Sequence, residues 1–302
     1  MINDIKHHMR NGSMITKLLI VNVGLFVLQS LIFLFFTLSG KGIVFESWLE
    51  WLYVPKGFMN SSGVNDLVHK PWSLFTYQFL HEPLSIFHIL FNMLYLYFFG
   101  NILVNFLNRK YILPLYLTGG ITGALLFMVT YNLSPVFQTH DAVLVGASAS
   151  ILALVVAAAA LAPDYTVFLI LIGPVRLKYI ALVAVLIDIV SISAGDNAGG
   201  HIAHIGGALT GYFYILSYKN GNNWFGWWPR FETWITGLFK RQKPKVVFVN
   251  EKQQAPAQKK PGRSEQNQKH MDEILDKIAQ SGYNSLTKAE KEFLFKISNE
   301  KE

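Results

Sequence analysis

Three kinds of side chain in this sequence could do acyl chemistry together: a hydroxyl at Ser148, imidazoles at His88 and His204, and an amide at Asn92. Ser148 lies in the run Val145-Gly146-Ala147-Ser148-Ala149-Ser150, with alanine on either side. Small neighbours let another helix come close to the hydroxyl, and a helix N-terminus there would supply free backbone N–H groups for a developing oxyanion. A hydroxyl needs a base to become a nucleophile, and an imidazole within hydrogen-bond reach serves. Amide and imidazole N–H donors, with the serine's own backbone N–H, can hold the oxyanion. The same run also suits plain helix packing, because Gly146 and Ser150 form a small-xxx-small pair.

Such groups need a scaffold, and the composition sets its medium. Of 302 residues, 52% are hydrophobic and only 15% charged, far more apolar than a soluble domain. The chain is expected to be an all-α, polytopic protein embedded in the lipid bilayer. It has no cysteine, which excludes disulfides, thiolate zinc sites and thiol catalysis. The net charge of +7 belongs to the tail: residues 1–218 hold ten Lys and Arg against nine Asp and Glu, residues 219–302 sixteen against ten.

Apolar runs able to cross ~30 Å of hydrocarbon lie at about 18–38, 84–106, 111–132, 143–162, 177–194 and 200–218, which predicts six transmembrane helices. The fifth follows YTVFLILIGPVRLK, where Gly173-Pro174 leaves an extended or re-entrant connection open. Residues 40–82, with Trp48, Trp51, Tyr53 and Trp72, read as a partly helical loop at headgroup level. Lys6, Arg10, Lys17, Arg109, Lys110, Arg176, Lys178 and Lys219 all fall on one side of the spans, which the positive-inside rule makes the cytosol. Both termini then lie there. The domain plan is a cytosolic segment at 1–17, a six-span membrane domain at 18–218 and an interfacial amphipathic segment at 219–240. A disordered linker at 241–268 and a small cytosolic helical hairpin at 269–302 follow, with Gly282 as a stop and Thr287-x-x-Glu290 as a capping box.

That orientation, drawn from Lys and Arg alone, puts His88, Ser148 and His204 in the outer third of the second, fourth and sixth spans. His88 and Asn92, four residues apart, share one helix face. Gly207 and Gly211 give the sixth span a face that another helix can approach closely. Independent patterns converge on one place, and this lifts the serine above packing.

With these residues in view, the chain resembles the rhomboid family of intramembrane serine proteases. The motifs are FLHEPLSIFHILFNM at 79–93, GASAS at 146–150 and HIAHIGGALTGY at 201–212. The resemblance implies Ser148 as nucleophile, His204 as general base in a dyad without an acidic third member, and His88 and Asn92 as oxyanion donors. It also implies transmembrane protein substrates cleaved near their outer ends, no cofactor, and a site opening to the outer side of a bacterial cytoplasmic membrane. Three positions depart from the family pattern. Ala149 stands where glycine is common, Trp72-Ser73 replaces Trp-Arg, and Leu152 replaces an aromatic residue.

His201 reads as a headgroup-level histidine or an alternative base, and His81 as a loop histidine near the mouth of the site. Asp188, inside the fifth span, would need a partner; a polar contact between helices is its ordinary role. Two rivals to the protease remain: an inactive rhomboid-like protein that binds transmembrane helices, and a metal or haem protein using His88, His201 and His204. Neither nucleic acid nor metal is expected as a ligand of the protease, and the partner of the C-terminal hairpin is unknown.

Overall fold

The computed structural model describes residues 2–57, 66–138, 142–169, 172–194, 197–239 and 263–299. They form two compact units, Met1–Lys240 and Arg241–Glu302, and most of the 241–268 linker lies outside the described residues.

The first unit opens with a short helix, α1 (Ile2–Asn11), so the segment ahead of the first span is structured. Ser13 then accepts a hydrogen bond from the Thr16 N–H and starts α2 (Met14–Leu38), a cap of a kind that contributes about 1 kcal/mol. The connection to the next long helix follows with α3 (Gly42–Leu49), the short strand β1 (Val54–Pro55) and one helical turn, α4 (Ser73–Thr76). Next come α5 (Ile86–Phe106), α6 (Ile112–Leu133) and α7 (Pro135–Gln138). Strand β2 (Val143–Leu144) pairs antiparallel with β1 and leads into α8 (Ser148–Leu161).

The apolar stretch around Gly173-Pro174 folds into a two-stranded hairpin, β3 (Thr166–Leu169) with β4 (Gly173–Arg176), in the register Thr166 to Arg176. Helices α9 (Leu177–Ala194), α10 (Ala198–Lys219) and α11 (Trp228–Phe239) complete the unit.

The chain is a mostly helical, multi-pass integral membrane protein. Among the described residues, Met14–Leu38, Ile86–Phe106 and Arg109–Leu133 are long and apolar enough to cross a bilayer, whereas Ser148–Leu161 is shorter. At 14 residues, α8 covers only about 21 Å. Most of it is enclosed by protein: Ala149 through Val155 and Ala157 through Ala159 are buried. The expected fourth span at 143–162 is therefore a helix only from Ser148 onward, and before it Val143–Leu144 is a strand.

Helices α6, α8 and α10 touch through their backbones. A β-carbon on Gly207 would come within 2.0 Å of the Ala149 carbonyl oxygen, and one on Gly211 within 2.2 Å of that of Ala153. On the other side of α10, a β-carbon on Gly206 would meet Gly123 of α6 at 2.8 Å. Thr122 and Thr210 add a hydroxyl–hydroxyl bond between α6 and α10. Small residues thus give the contact between membrane helices that large ones give in water.

The second unit holds α12 (Arg263–Ser281) and α13 (Lys288–Asn299), and its first helix starts earlier than position 269. Gly282, at φ +77°, donates to the Ile278 carbonyl and ends α12. The Thr287 N–H donates to Glu290 Oε2 at 2.7 Å, and the Glu290 N–H to Thr287 Oγ at 3.4 Å, a reciprocal capping box. Lys277 donates to the same carboxylate at 2.9 Å, and these bonds hold Glu290 down at about 2.

Candidate active site

The turn before α8 sets the position of Ser148. Gly146 has φ +126°, a conformation that side-chain-bearing residues rarely adopt, and its N–H donates to the Tyr77 carbonyl at 3.1 Å. Tyr77 is itself fixed, because its hydroxyl donates to the Gly120 carbonyl at 2.6 Å. Beside it the Ser150 hydroxyl donates to Gln78 Oε1 at 2.9 Å, so Ser150 is a structural serine of the buried network under the loop. Ala147 is the N-cap and Ser148 the first helical residue. The first backbone N–H groups of α8 therefore have no partner within the helix.

The Ser148 hydroxyl donates to His204 Nε2 at 2.6 Å, from α8 to α10. The other nitrogen of that ring, Nδ1, donates to Asp188 Oδ1 at 2.7 Å, and His201 Nδ1 donates to the same oxygen at 2.7 Å. Asp188 comes from α9 and is buried, 6% exposed. The helical repeat of α10 puts His201 and His204 on one face, and the carboxylate receives both. Hydroxyl, imidazole and carboxylate thus form one hydrogen-bonded chain across three helices. It can move the serine proton to Nε2 and hold the resulting imidazolium.

Asp188, expected to make an ordinary polar contact between helices, makes its contact with the imidazole that faces Ser148. The family pattern of a dyad without a carboxylate does not describe this geometry. Nothing in the spacing of Asp188 reveals the contact; the available clue was an ionisable group inside an apolar span.

His88 stands on the other side of Gly146: a β-carbon there would lie 3.2 Å from the His88 ring and 3.7 Å from Ser148 Oγ. Asn92, one turn along α5, is buried, and its amide donates to His81 Nε2 at 3.1 Å. His81 is therefore no mouth residue. It is fully buried, packs edge-on against the His88 ring, and its carbonyl accepts from the Gln29 amide of α2.

The three departures have visible settings. The Ala149 methyl faces α6, where a β-carbon on Gly123 would lie 2.8 Å from it, and Leu152 is buried in the main core. Ser73 is buried, while the loop that follows α3 is tied down by Lys70, whose ammonium donates to the Glu50 carbonyl at 3.2 Å and lies over the Trp51 ring. Trp72 stacks on Trp51 and donates to its carbonyl at 2.9 Å.

The donors of Asp188, His201 and His204 lie within 4.8 Å of one another, a grouping that could hold a metal ion. The separations of 2.7 Å from Asp188 to each ring are those of charge-assisted hydrogen bonds. Ligands of one tetrahedral zinc ion stand about 3.3 Å apart. His88 is outside this group, so the donors do not fit the three-histidine metal set.

A Rhomboid domain family model matches residues 68–220, the stretch that carries His81, His88, Asn92, Ser148, Asp188 and His204. A second model, described as a family of unknown function (DUF6576), matches residues 263–300. Among curated proteins, the presenilin-associated rhomboid-like protein A, mitochondrial, of Danio rerio is 33% identical over 138 residues, covering 43% of this chain. The match spans 34% of that relative's own length. No solved structure matches the chain. The rhomboid model takes in half of the sequence, including α5, α8 and α10, and the chain belongs to the rhomboid family.

Proposed function

We propose that the protein is an intramembrane serine endopeptidase that cleaves transmembrane segments of membrane proteins near their outer ends. The observation that carries this reading is the 2.6 Å bond from Ser148 Oγ to His204 Nε2. Ser148 Oγ attacks the scissile carbonyl as His204 Nε2 takes its proton, giving a tetrahedral oxyanion. That oxyanion meets the free N–H groups at the start of α8 and the donors of His88 and Asn92. Collapse expels the amine, which receives the proton from His204, and water then hydrolyses the acyl-enzyme by the same exchange. Asp188 orients His204 and steadies its charged form, as a positioning residue.

Six crossings suit this function: α2, α5, α6, α8, α9 and α10, with Lys- and Arg-rich connections in the cytosol and Ser148 toward the outer face. Such sidedness does not depend on whether the membrane is bacterial or, as the Danio rerio relative's name has it for that protein, mitochondrial.

The test is labelling by a fluorophosphonate probe and cleavage of a model transmembrane substrate by the full chain in liposomes. Ser148→Ala and His204→Ala should each abolish both, and the double variant should be no worse, because the two groups act as one unit. Residual cleavage in Ser148→Ala would sink the mechanism. A folded wild type that binds substrate helices but neither cleaves nor labels would establish the inactive, helix-binding alternative.

A further inference from the structure

Helices α8, α9 and α10 separate toward the end opposite Ser148 and leave a cavity of about 480 Å³. Its walls include Ala159 and Ala160 of α8, Ala181 and Val185 of α9, and Ile215 of α10. It is an open groove, because Leu182 and Leu216, which also line it, are exposed. In a membrane protein the hydrocarbon available to fill one is an acyl chain. Between Lys178 and Val185 the α9 wall runs about 10 Å along the helix axis, enough for part of such a chain.

The rim of the cavity is cationic. Lys178 and Lys219 both line it, and Arg176 is next to Lys178 across Leu177. The carboxylate there is Asp164, which already pairs with Arg176 at 3.2 Å and Lys178 at 2.8 Å. Lys219 has no carboxylate partner among the described residues; its ammonium donates to the Ala160 carbonyl at 2.6 Å. An ammonium carries three donors, so two remain for an anion. Three cations against one carboxylate leave an excess of positive charge beside an apolar groove.

We propose that this groove binds an anionic glycerophospholipid, with its phosphate between Lys178 and Lys219 and an acyl chain against Ala159, Ala181 and Val185. Basic pockets between membrane helices take such headgroups, and the groove supplies the chain-binding half that a bare cluster of surface lysines lacks. The site does not depend on whether Ser148 cleaves anything.

The experiment is native mass spectrometry of the full chain after exchange into detergent containing equimolar phosphatidylglycerol and phosphatidylcholine. One phosphatidylglycerol should be retained in preference to phosphatidylcholine. Lys178→Gln with Lys219→Gln should lower that retention at least about tenfold, as should Ala181→Leu, which fills the groove and leaves the lysines in place. The exposed pair Lys6→Gln and Arg10→Gln removes the same charge elsewhere and should change nothing. Equal retention of both lipids, undiminished binding in the Lys178 and Lys219 variant, or an equal loss in the α1 variant would overturn the proposal. Displacement of the lipid by inorganic phosphate alone would also overturn it, pointing to a site for the free anion.

Discussion

Asp188 shares one carboxylate oxygen between two imidazoles, and only the His204 ring also bonds Ser148. Replacing it by asparagine leaves the shape but removes the charge that steadies His204. Cleavage by Asp188→Asn should fall by at least about tenfold, up to the ~10⁴ seen for such a change in a serine protease triad. The loss should appear in kcat with KM unchanged, and probe labelling should slow in parallel. An altered KM with normal labelling would reduce Asp188 to a helix contact, and His201→Ala should retain most activity. His81 permits a test by pH. Burial, with His88 acting the same way, pushes its imidazole from 6.5 to about 3. Below 6.5 the unfolded chain therefore binds a proton that the folded one refuses, down to about 3. The His81 contribution is fully present above that window and declines as pH falls through it, by up to about 1.4 kcal/mol per pH unit. Thermal unfolding in detergent should show a shallower acid slope for His81→Gln; an unchanged slope would place the proton elsewhere. Ser148, His88, Asn92 and His204 were legible as candidates because their motifs are local. Asp188 and His81 were not, since their contacts depend on how separate segments are rotated and packed against one another.

At the level of elements, α8 and α10 meet backbone on backbone at Gly207 and Gly211. Gly207→Val would drive a side chain into the Ala149 carbonyl, one residue beyond Ser148. Overpacking of this kind costs roughly 1–3 kcal/mol or more, so the melting temperature should drop and cleavage with it. A variant with wild-type melting and activity would show that the two helices can separate at no cost. The approach of α8 and α10 could be read from the glycine spacing, and the long helices from apolar length. The start of α8 could not, because residues 143–147 are as apolar as the helix that follows. What keeps them out of the helix is tertiary: the pairing of β2 with β1 and the Gly146 bond to Tyr77. The β3–β4 hairpin shows the same ambiguity, since an apolar run broken by Gly-Pro suits a turn as well as a broken helix.

For the whole molecule, the expectation is that cleavage requires the membrane unit alone. In the proposed topology, Ser148 stands at the end of α8 away from the cytosol and the tail leaves α10 on the cytosolic side. A purified 1–245 fragment should therefore cleave a model transmembrane substrate within a few-fold of the full chain. A correctly melting fragment without activity would make the helical hairpin a regulator of the site. The glycine contacts also have a genetic consequence. Every missense change reachable by one base from a glycine codon adds a β-carbon, so Gly146, Gly207 and Gly211 have no mild neighbours in mutational space. In a saturation screen scored for lost activity, these three would rank with Ser148 and His204. Scored for protein abundance, the two groups should separate: the reacting residues silent, the glycines depleted. A screen with only the first readout would name five essential residues and could not say which of them touch substrate.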